Sequence, residues 1–203
     1  MESIQAARRT KARVLGWRKS PRAEFYLKLG LSAAQASVWA SALIFTSLAY
    51  ASPTRLEGRI REVTDGDTVT LVDNGQGVHK IRLNGIDAPE ASQAFGGASK
   101  RHLEALVARK YVVAECVKRD KYKRLVCKLL IDNTDVNLTQ VESGFAWHFK
   151  KYQSDQLPAD RQLYAAAERN ARAAKKGLWQ EPNPLAPWDF REMKKTRAYS
   201  KPL

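Results

Sequence analysis

The chain has 203 residues, enough for one domain with a full hydrophobic core and some appendages but too few for two complete domains. Lysine and arginine outnumber aspartate and glutamate by 35 to 21, which gives a formal net charge of +14. This excess favours a polyanionic partner, such as nucleic acid, an anionic membrane surface or an acidic polysaccharide, and does not choose among them.

The first 51 residues have the organisation of a secretory signal. Residues 1–28 contain eight Lys and Arg, whereas residues 29–51 contain no charged residue. An apolar centre at residues 38–45 precedes Ala49-Tyr50-Ala51, the small-x-small pattern at which signal peptidase cleaves. We therefore predict a signal peptide over residues 1–51, cleaved after Ala51, and a secreted or periplasmic protein. The alternative is a membrane anchor, for which this Ala- and Ser-rich stretch is long enough but weakly hydrophobic.

Short β-rich segments separated by turns begin at residue 56. Residues 56–63, 68–73 and 78–84 alternate or are rich in β-branched side chains, with turn sequences at residues 64–67 and 74–77. The short connections predict an antiparallel meander of three strands.

Helical and β-rich segments follow in a fixed order. A helix is predicted over residues 98–109, then strands over 111–117 and 125–131 around a basic loop at 118–124. Asp135 is placed to cap a short helix through residue 142, and an Ala-rich helix is predicted over residues 158–176. This order predicts an α+β fold with a mostly β core, namely a five-stranded OB-fold-like barrel with about three helices over residues 52–180. Residues 181–203 form a C-terminal extension, and its basic tail from residue 193 is predicted to be disordered.

Two cysteines, Cys116 and Cys127, flank the predicted hairpin around the basic loop. In an oxidising compartment they could form a disulfide bond, and otherwise they would be two separately buried thiols. The sequence leaves both alternatives open.

Two acidic turns carry the candidate chemistry. An Asp-Gly-Asp turn at residues 65–67 and an Asp-Ala-Pro-Glu turn at residues 87–90 can converge with the basic loop at one end of the barrel. Carboxylates about 5 Å apart repel by about 3 kcal/mol at an effective dielectric constant near 20, so such a cluster calls for a cation. Oxygen ligands without His or Cys favour calcium or magnesium.

Phosphodiester cleavage needs the same set of groups. A metal ion and guanidinium groups stabilise the charge that builds on the phosphate oxygens, and a carboxylate orients or deprotonates the attacking water. Arginine suits the phosphate because its planar fork donates two parallel hydrogen bonds.

Three ordered segments carry a resemblance to a known family. The chain resembles the staphylococcal nuclease (thermonuclease) family over about residues 56–179, most specifically at residues 65–69, 82–83 with 86–90, and 120–124. The resemblance implies a calcium-dependent nuclease that cleaves DNA and RNA and leaves 3′-phosphate and 5′-hydroxyl ends. It also implies nucleic acid as the substrate, and we expect a monomer without a stable protein partner.

The resemblance assigns roles to individual positions. Asp67 and Asp87 would hold Ca²⁺ through their carboxylates, and Ala88 would offer its backbone carbonyl. Arg82 would hold the scissile phosphate, and Glu90 would act on the attacking water as general base or as an orienting group.

The basic loop supplies the other implied contacts. Arg124 would be the second phosphate-binding arginine, and Lys121 and Tyr122 would contact the nucleotide. Tyr152 is the candidate for a second active-site tyrosine. The family usually has Gly where Lys123 stands, so we expect the turn before Arg124 to differ in backbone shape.

Two other functions compete with a nuclease. A non-catalytic OB-type module would bind nucleic acid or protein, but degenerate modules tend to lose the metal and phosphate residues that this sequence keeps. An envelope-associated protein whose basic surface meets anionic lipid would retain residues 29–51 and need no metal.

Overall fold

The computed structural model describes residues 54–199. The predicted signal peptide at residues 1–51 and the last four residues lie outside the described residues. Within the described part of the chain, no helix is long and apolar enough to cross a membrane.

The strands form the predicted barrel. The described residues contain strands β1 (Thr54–Asp65), β2 (Thr68–Asp73), β3 (Val78–Leu83), β4 (Ile86–Asp87), β5 (Tyr111–Arg119), β6 (Leu125–Ile131), β7 (Thr134–Asp135) and β8 (Trp147–His148). Strands β1 to β3 form the expected antiparallel meander, β3 pairs in parallel with β6, and β5 lies antiparallel between β6 and β1. These pairings close a five-stranded barrel, and β4 pairs with β8 in a separate two-stranded sheet.

Helices cover the barrel and extend beyond it. The described residues contain helices α1 (Gly96–Val107), α2 (Val136–Glu142), α3 (Pro158–Ala173) and α4 (Pro187–Tyr199), with 3₁₀ turns at Lys150–Asp155 and Gly177–Gln180. The three predicted helices are confirmed, with α1 shifted by two residues and α3 three residues shorter at its end. Asp135 caps α2 as predicted, because its side chain accepts a hydrogen bond of 3.0 Å from Leu138 N.

The prediction of a disordered tail from residue 193 is wrong for the residues that the structure describes. Helix α4 runs through Tyr199, beginning with Pro187 at its first position and Asp189 in its first turn. Its aromatic residue Trp188 stacks on Phe149, with ring centroids 5.4 Å apart. This long-range packing stabilises a segment whose own sequence resembles a solvated basic tail.

The core fills the barrel interior with the inward-facing side chains of the strands. Alternation along β2 and β3 directs apolar residues inward, and α1 closes one end with Leu103 and Val107. Fully buried members of this core are Val69, Leu71, Ile81, Leu83, Val112 and Leu129.

The structure contains a disulfide bond between Cys116 and Cys127, the alternative that the sequence left open. The two residues are direct partners in the antiparallel register of β5 and β6. The bond therefore joins the base of the hairpin that carries the basic loop.

Gln140 connects three elements beneath the first acidic turn. Its fully buried amide donates to Gly66 O at 2.7 Å and to Ser99 O at 3.3 Å, and its carbonyl oxygen meets the His102 ring. The contacts link α2 to α1 and to the turn between β1 and β2. This turn carries Asp67, so Gln140 supports the position of a predicted site residue.

Replacing Gln140 with leucine should destabilise the protein. The near-isosteric Gln140→Leu change removes the donor to the Gly66 carbonyl, and an unsatisfied buried polar group costs about 1–3 kcal/mol. Urea unfolding followed by circular dichroism measures the loss. The matched control is Gln153→Leu on the exposed surface, expected to change the unfolding free energy by less than about 0.5 kcal/mol. Equal stability of the two variants would contradict the prediction.

Candidate active site

Two buried carboxylates share one guanidinium at the mouth of the barrel. Arg82 Nη2 lies 3.0 Å from Asp67 Oδ2 and 2.7 Å from Asp87 Oδ1. The side chains of Asp67 and Asp87 are only 8% and 1% exposed. The sequence prediction that these three residues meet is confirmed by this geometry.

The local backbone places Asp67 beside the end of β3. Asp67 N donates to Asp65 Oδ1 at 3.0 Å, and Leu83 N donates to Asp67 O at 2.8 Å. A Cβ at Gly66 would overlap Ser99 Oγ, so only glycine lets this turn approach α1 so closely. The turn sequence therefore fixes where the Asp67 carboxylate lies.

Both oxygens of the Asp67 carboxylate are engaged. Thr68 Oγ1 donates to Oδ1 at 3.0 Å, and Ala88 N donates to Oδ2 at 2.7 Å. Burial raises the pKa of the Asp67 carboxyl well above its usual range, and the opposing effect of the Arg82 guanidinium does not cancel that rise. A further cation beside this carboxylate would therefore stabilise its charged form.

Glu90 lies on the open side of the same cluster and has a partner that the sequence analysis missed. Its side chain is 39% exposed, and Oε1 accepts a hydrogen bond of 2.7 Å from Arg191 Nη1. Arg191 also donates to both oxygens of Asp87, with Nη2 2.7 Å from Oδ2 and Nη1 3.3 Å from Oδ1. The helix-start signals at Pro187 and Asp189 were the available indication that the segment carrying Arg191 is ordered.

Asp120 organises the basic loop. Its Oδ1 accepts hydrogen bonds of 2.9 Å from the backbone N–H groups of Tyr122 and Arg124, and its Oδ2 lies 2.7 Å from Arg124 Nε. Burial raises the pKa of the Asp120 carboxyl, but the hydrogen bonds from Arg124 and the charge of its guanidinium bring it below the usual range. The carboxylate thus holds both the loop backbone and the Arg124 guanidinium.

Lys123 adopts the backbone conformation for which glycine is best suited. Its φ is 65°, in the left-handed region. The lysine thus takes a left-handed turn at the cost of some strain.

Aromatic side chains accompany the loop. Tyr122 is 67% exposed, with Lys121 Nζ 5.0 Å and Arg124 Cζ 5.3 Å from its ring centroid. Tyr152 lies against Phe149, with ring centroids 5.0 Å apart, and has Lys118 Nζ 5.6 Å from its ring. Exposed rings flanked by cations are suited to bases and phosphates.

One cleft of about 860 Å³ brings these residues together. It is lined by all nine residues predicted for metal, phosphate and nucleotide contacts, which are Asp67, Arg82, Asp87, Ala88, Glu90, Lys121, Tyr122, Arg124 and Tyr152. Trp188, Arg191 and Lys195 of α4 line the same cleft. The carboxylates and the arginine, lysine and tyrosine side chains suited to phosphate and nucleotide therefore lie in a single site.

Comparison with known proteins identifies the family. The model of the family described as staphylococcal nuclease homologue matches residues 80–181, about half of the chain. The chain is also 38% identical over 153 residues to a protein of Haemophilus influenzae named "Uncharacterized endonuclease", covering 75% of this chain and 83% of that protein. The chain belongs to the staphylococcal nuclease homologue family.

A second relative supports this membership over a longer range. The "Micrococcal nuclease" of Shigella flexneri is 32% identical over 178 residues, covering 83% of this chain and 98% of that protein. Membership of the staphylococcal nuclease family identifies the chain as a nuclease. The range matched by the family model includes Arg82, Asp87, Glu90 and Arg124, whereas Asp67 and Arg191 lie outside it.

Weakening the tether of Arg124 should reduce nuclease activity without unfolding the protein. Asp120→Asn keeps an acceptor oxygen for the loop N–H groups but removes the charge that holds the guanidinium. Loss of a single oriented group typically costs about tenfold or more, so we expect about a tenfold fall in kcat/KM. Initial rates on double-stranded DNA, with melting temperatures recorded in parallel, measure the effect. The control Asp132→Asn, on an exposed turn, should retain full activity, and an equally active Asp120→Asn would show that the tether is dispensable.

Proposed function

We propose that this protein is an exported, Ca²⁺-dependent nuclease that hydrolyses phosphodiester bonds of DNA and/or RNA to products with 3′-phosphate and 5′-hydroxyl ends. The observation that carries the proposal is the contact of Arg82 with both Asp67 and Asp87, beside Glu90 in one cleft. The end products follow from the resemblance to the family.

The residues present fit a hard divalent cation. Asp67 and Asp87 offer carboxylate oxygens at nearly buried positions. Because burial disfavours the charged form of Asp67, a bound cation would stabilise that form. Ala88 N donates to Asp67, so the backbone of Ala88 lies beside this carboxylate. Within residues 54–199 no three His, Cys, Asp or Glu side chains form a metal cluster, so a backbone carbonyl and water would complete the ligand set.

The protein's own groups account for binding and proton transfer. A bound Ca²⁺ ion supplies positive charge that stabilises the phosphate oxygens as negative charge builds on them. Arg82 and Arg124 donate hydrogen bonds to the same phosphate, and the cation-flanked ring of Tyr122 contacts the nucleotide. Glu90 accepts a proton from the attacking water through its exposed carboxylate. The water oxygen bonds to phosphorus as the bond to the 5′ oxygen breaks, and the leaving 5′ oxygen takes up a proton from solvent.

Export is supported by the cysteine chemistry. The Cys116–Cys127 disulfide bond would persist in an oxidising compartment and is uncommon in the reducing cytosol. The charge pattern of residues 1–51, with its apolar centre and small-x-small site, supports cleavage after Ala51.

Activity should depend on both calcium and Glu90. We expect EDTA to abolish cleavage, excess Ca²⁺ to restore it, and Glu90→Gln to lower kcat by about a hundredfold or more, because general base catalysis contributes about 10²–10⁴. Cleavage of single- and double-stranded DNA and of RNA, with end-group analysis of the products, measures these effects.

The matched control is Glu142→Gln, an identical chemical change at an exposed position of α2 outside the cleft. Its activity should equal that of the unchanged protein. Cleavage that persists in EDTA would overturn the calcium requirement. Binding of nucleic acid without cleavage under any of these conditions would favour the non-catalytic module.

The mature amino terminus should lie at or near Ser52. Expressing the full chain in a bacterium with a general export pathway and measuring the intact mass of the exported protein tests this directly. A protein that retains residues 29–51 and fractionates with the membrane would instead indicate an anchor.

A further inference from the structure

Helix α4 delivers a third arginine to the carboxylates of the active site. Arg191 donates to Glu90 Oε1 and Asp87 Oδ2 at 2.7 Å each, and to Asp87 Oδ1 at 3.3 Å. One guanidinium thus joins the proposed general base to a proposed metal ligand. Neither the sequence motifs nor the range matched by the family model includes Arg191.

The position of Arg191 is built into the fold. Trp188, one turn earlier on the same helix, stacks on Phe149 with ring centroids 5.4 Å apart and meets the edge of Trp147 at 5.4 Å. On the other side of Arg191, Lys194 Nζ lies 3.2 Å from Ser92 Oγ in the loop that follows Glu90. The guanidinium is therefore held between two anchor points of α4.

Glu90 depends on this contact because its own loop restrains only its backbone. Glu90 N donates to Gln93 Oε1 at 3.2 Å, and Glu90 O accepts from Gln93 N at 2.8 Å. Among residues 54–199, Arg191 is the hydrogen-bond partner of the Glu90 carboxylate, and it uses only Oε1. Oε2 is not engaged by Arg191 and remains available to accept a proton.

We propose that Arg191 is a positioning residue that fixes the Glu90 carboxylate relative to Asp87, so that one Glu90 oxygen is directed at the attacking water. This inference rests on the proposed role of Glu90 as general base. A carboxylate with rotatable bonds and no partner would sample several directions, and misplacement by about 1 Å can cost about a hundredfold in rate.

The charge balance favours a role for Arg191 in catalysis over a role as a competitor of the metal ion. Once a divalent cation favours ionised Asp67, the carboxylates of Asp67, Asp87 and Glu90 carry three negative charges. Arg82 and Arg191 carry two positive charges, and Arg124 is balanced by Asp120. A divalent cation and one phosphodiester group bring the total to zero, whereas without Arg191 the loaded site would keep one excess negative charge. Arg191 is thus compatible with metal and substrate together.

The experiment compares variants of the purified exported protein in the same cleavage assay. Arg191→Ala should lower kcat about tenfold to a hundredfold, with KM for DNA and the Ca²⁺ dissociation constant from calorimetry each changed by less than about threefold. Arg191→Lys should recover part of the loss because it keeps one charged donor. The control Arg169→Ala removes the same charge from an exposed position of α3 outside the cleft and should change kcat by less than about twofold.

A double-mutant cycle separates positioning from a structural role. If Arg191 acts through Glu90, Arg191→Ala should lower kcat by less than about twofold in the Glu90→Gln background. Full additivity, or an equal loss in Arg169→Ala, would overturn the inference. So would tighter Ca²⁺ binding with raised activity in Arg191→Ala, which would make Arg191 a competitor of the metal.

A stability measurement and a substitute variant keep these outcomes distinct. Melting temperatures identify any variant that fails to fold, and Arg191→Gln then replaces Arg191→Ala in the cycle. If Glu90→Gln alone leaves kcat unchanged, the proposed function of Glu90 fails. If Glu90→Gln lowers kcat and neither Arg191 variant does, only the positioning role fails.

Discussion

Arg82 Nη2 lies between the carboxylates of Asp67 and Asp87, and the other site residues are arranged around this contact. Burying a carboxylate is costly unless a hydrogen-bonded cation accompanies it. Here two nearly buried carboxylates share the Arg82 guanidinium, and burial still disfavours the charged form of Asp67, which a further cation would stabilise. The second guanidinium, from Arg191, approaches Asp87 from the opposite end of the chain. This need for positive charge makes the cluster suited to bind a cation.

The barrel explains why this contact could be predicted. In the register of β2 and β3, Thr68 lies opposite Arg82, so Asp67 at the start of β2 lies beside the arginine at the end of β3. Period-two alternation and the turn at residues 74–77 encode this register locally, which is why the meander was readable from sequence. The second acidic turn directly follows β3 in the chain, so its position is also determined by the local sequence.

Features that depend on distant contacts were not readable in the same way. Helix α4 is held by Trp188 on Phe149 and by Arg191 on residues about a hundred positions earlier, whereas its own composition is that of a solvated segment. The disulfide bond required the β5–β6 register, which places Cys116 opposite Cys127. Lys123 differs from these features because its conformation depends on local contacts. Lysine has a low preference for the left-handed region, but the hydrogen bonds that Asp120 makes around this position hold it at φ 65°.

Asp87 and Glu90 are three residues apart but are restrained in different ways. Asp87 belongs to β4 and pairs with Trp147 of β8, so the backbone sheet determines its place. Pro89 prevents that pairing from continuing, and Glu90 therefore extends from a loop with a side chain that the barrel does not hold. A group in that position needs a tertiary partner to have one orientation. In this chain the partner comes from beyond residue 181, where the match to the family model ends, so the shared motifs supply the reacting groups and the C-terminal helix supplies part of their alignment.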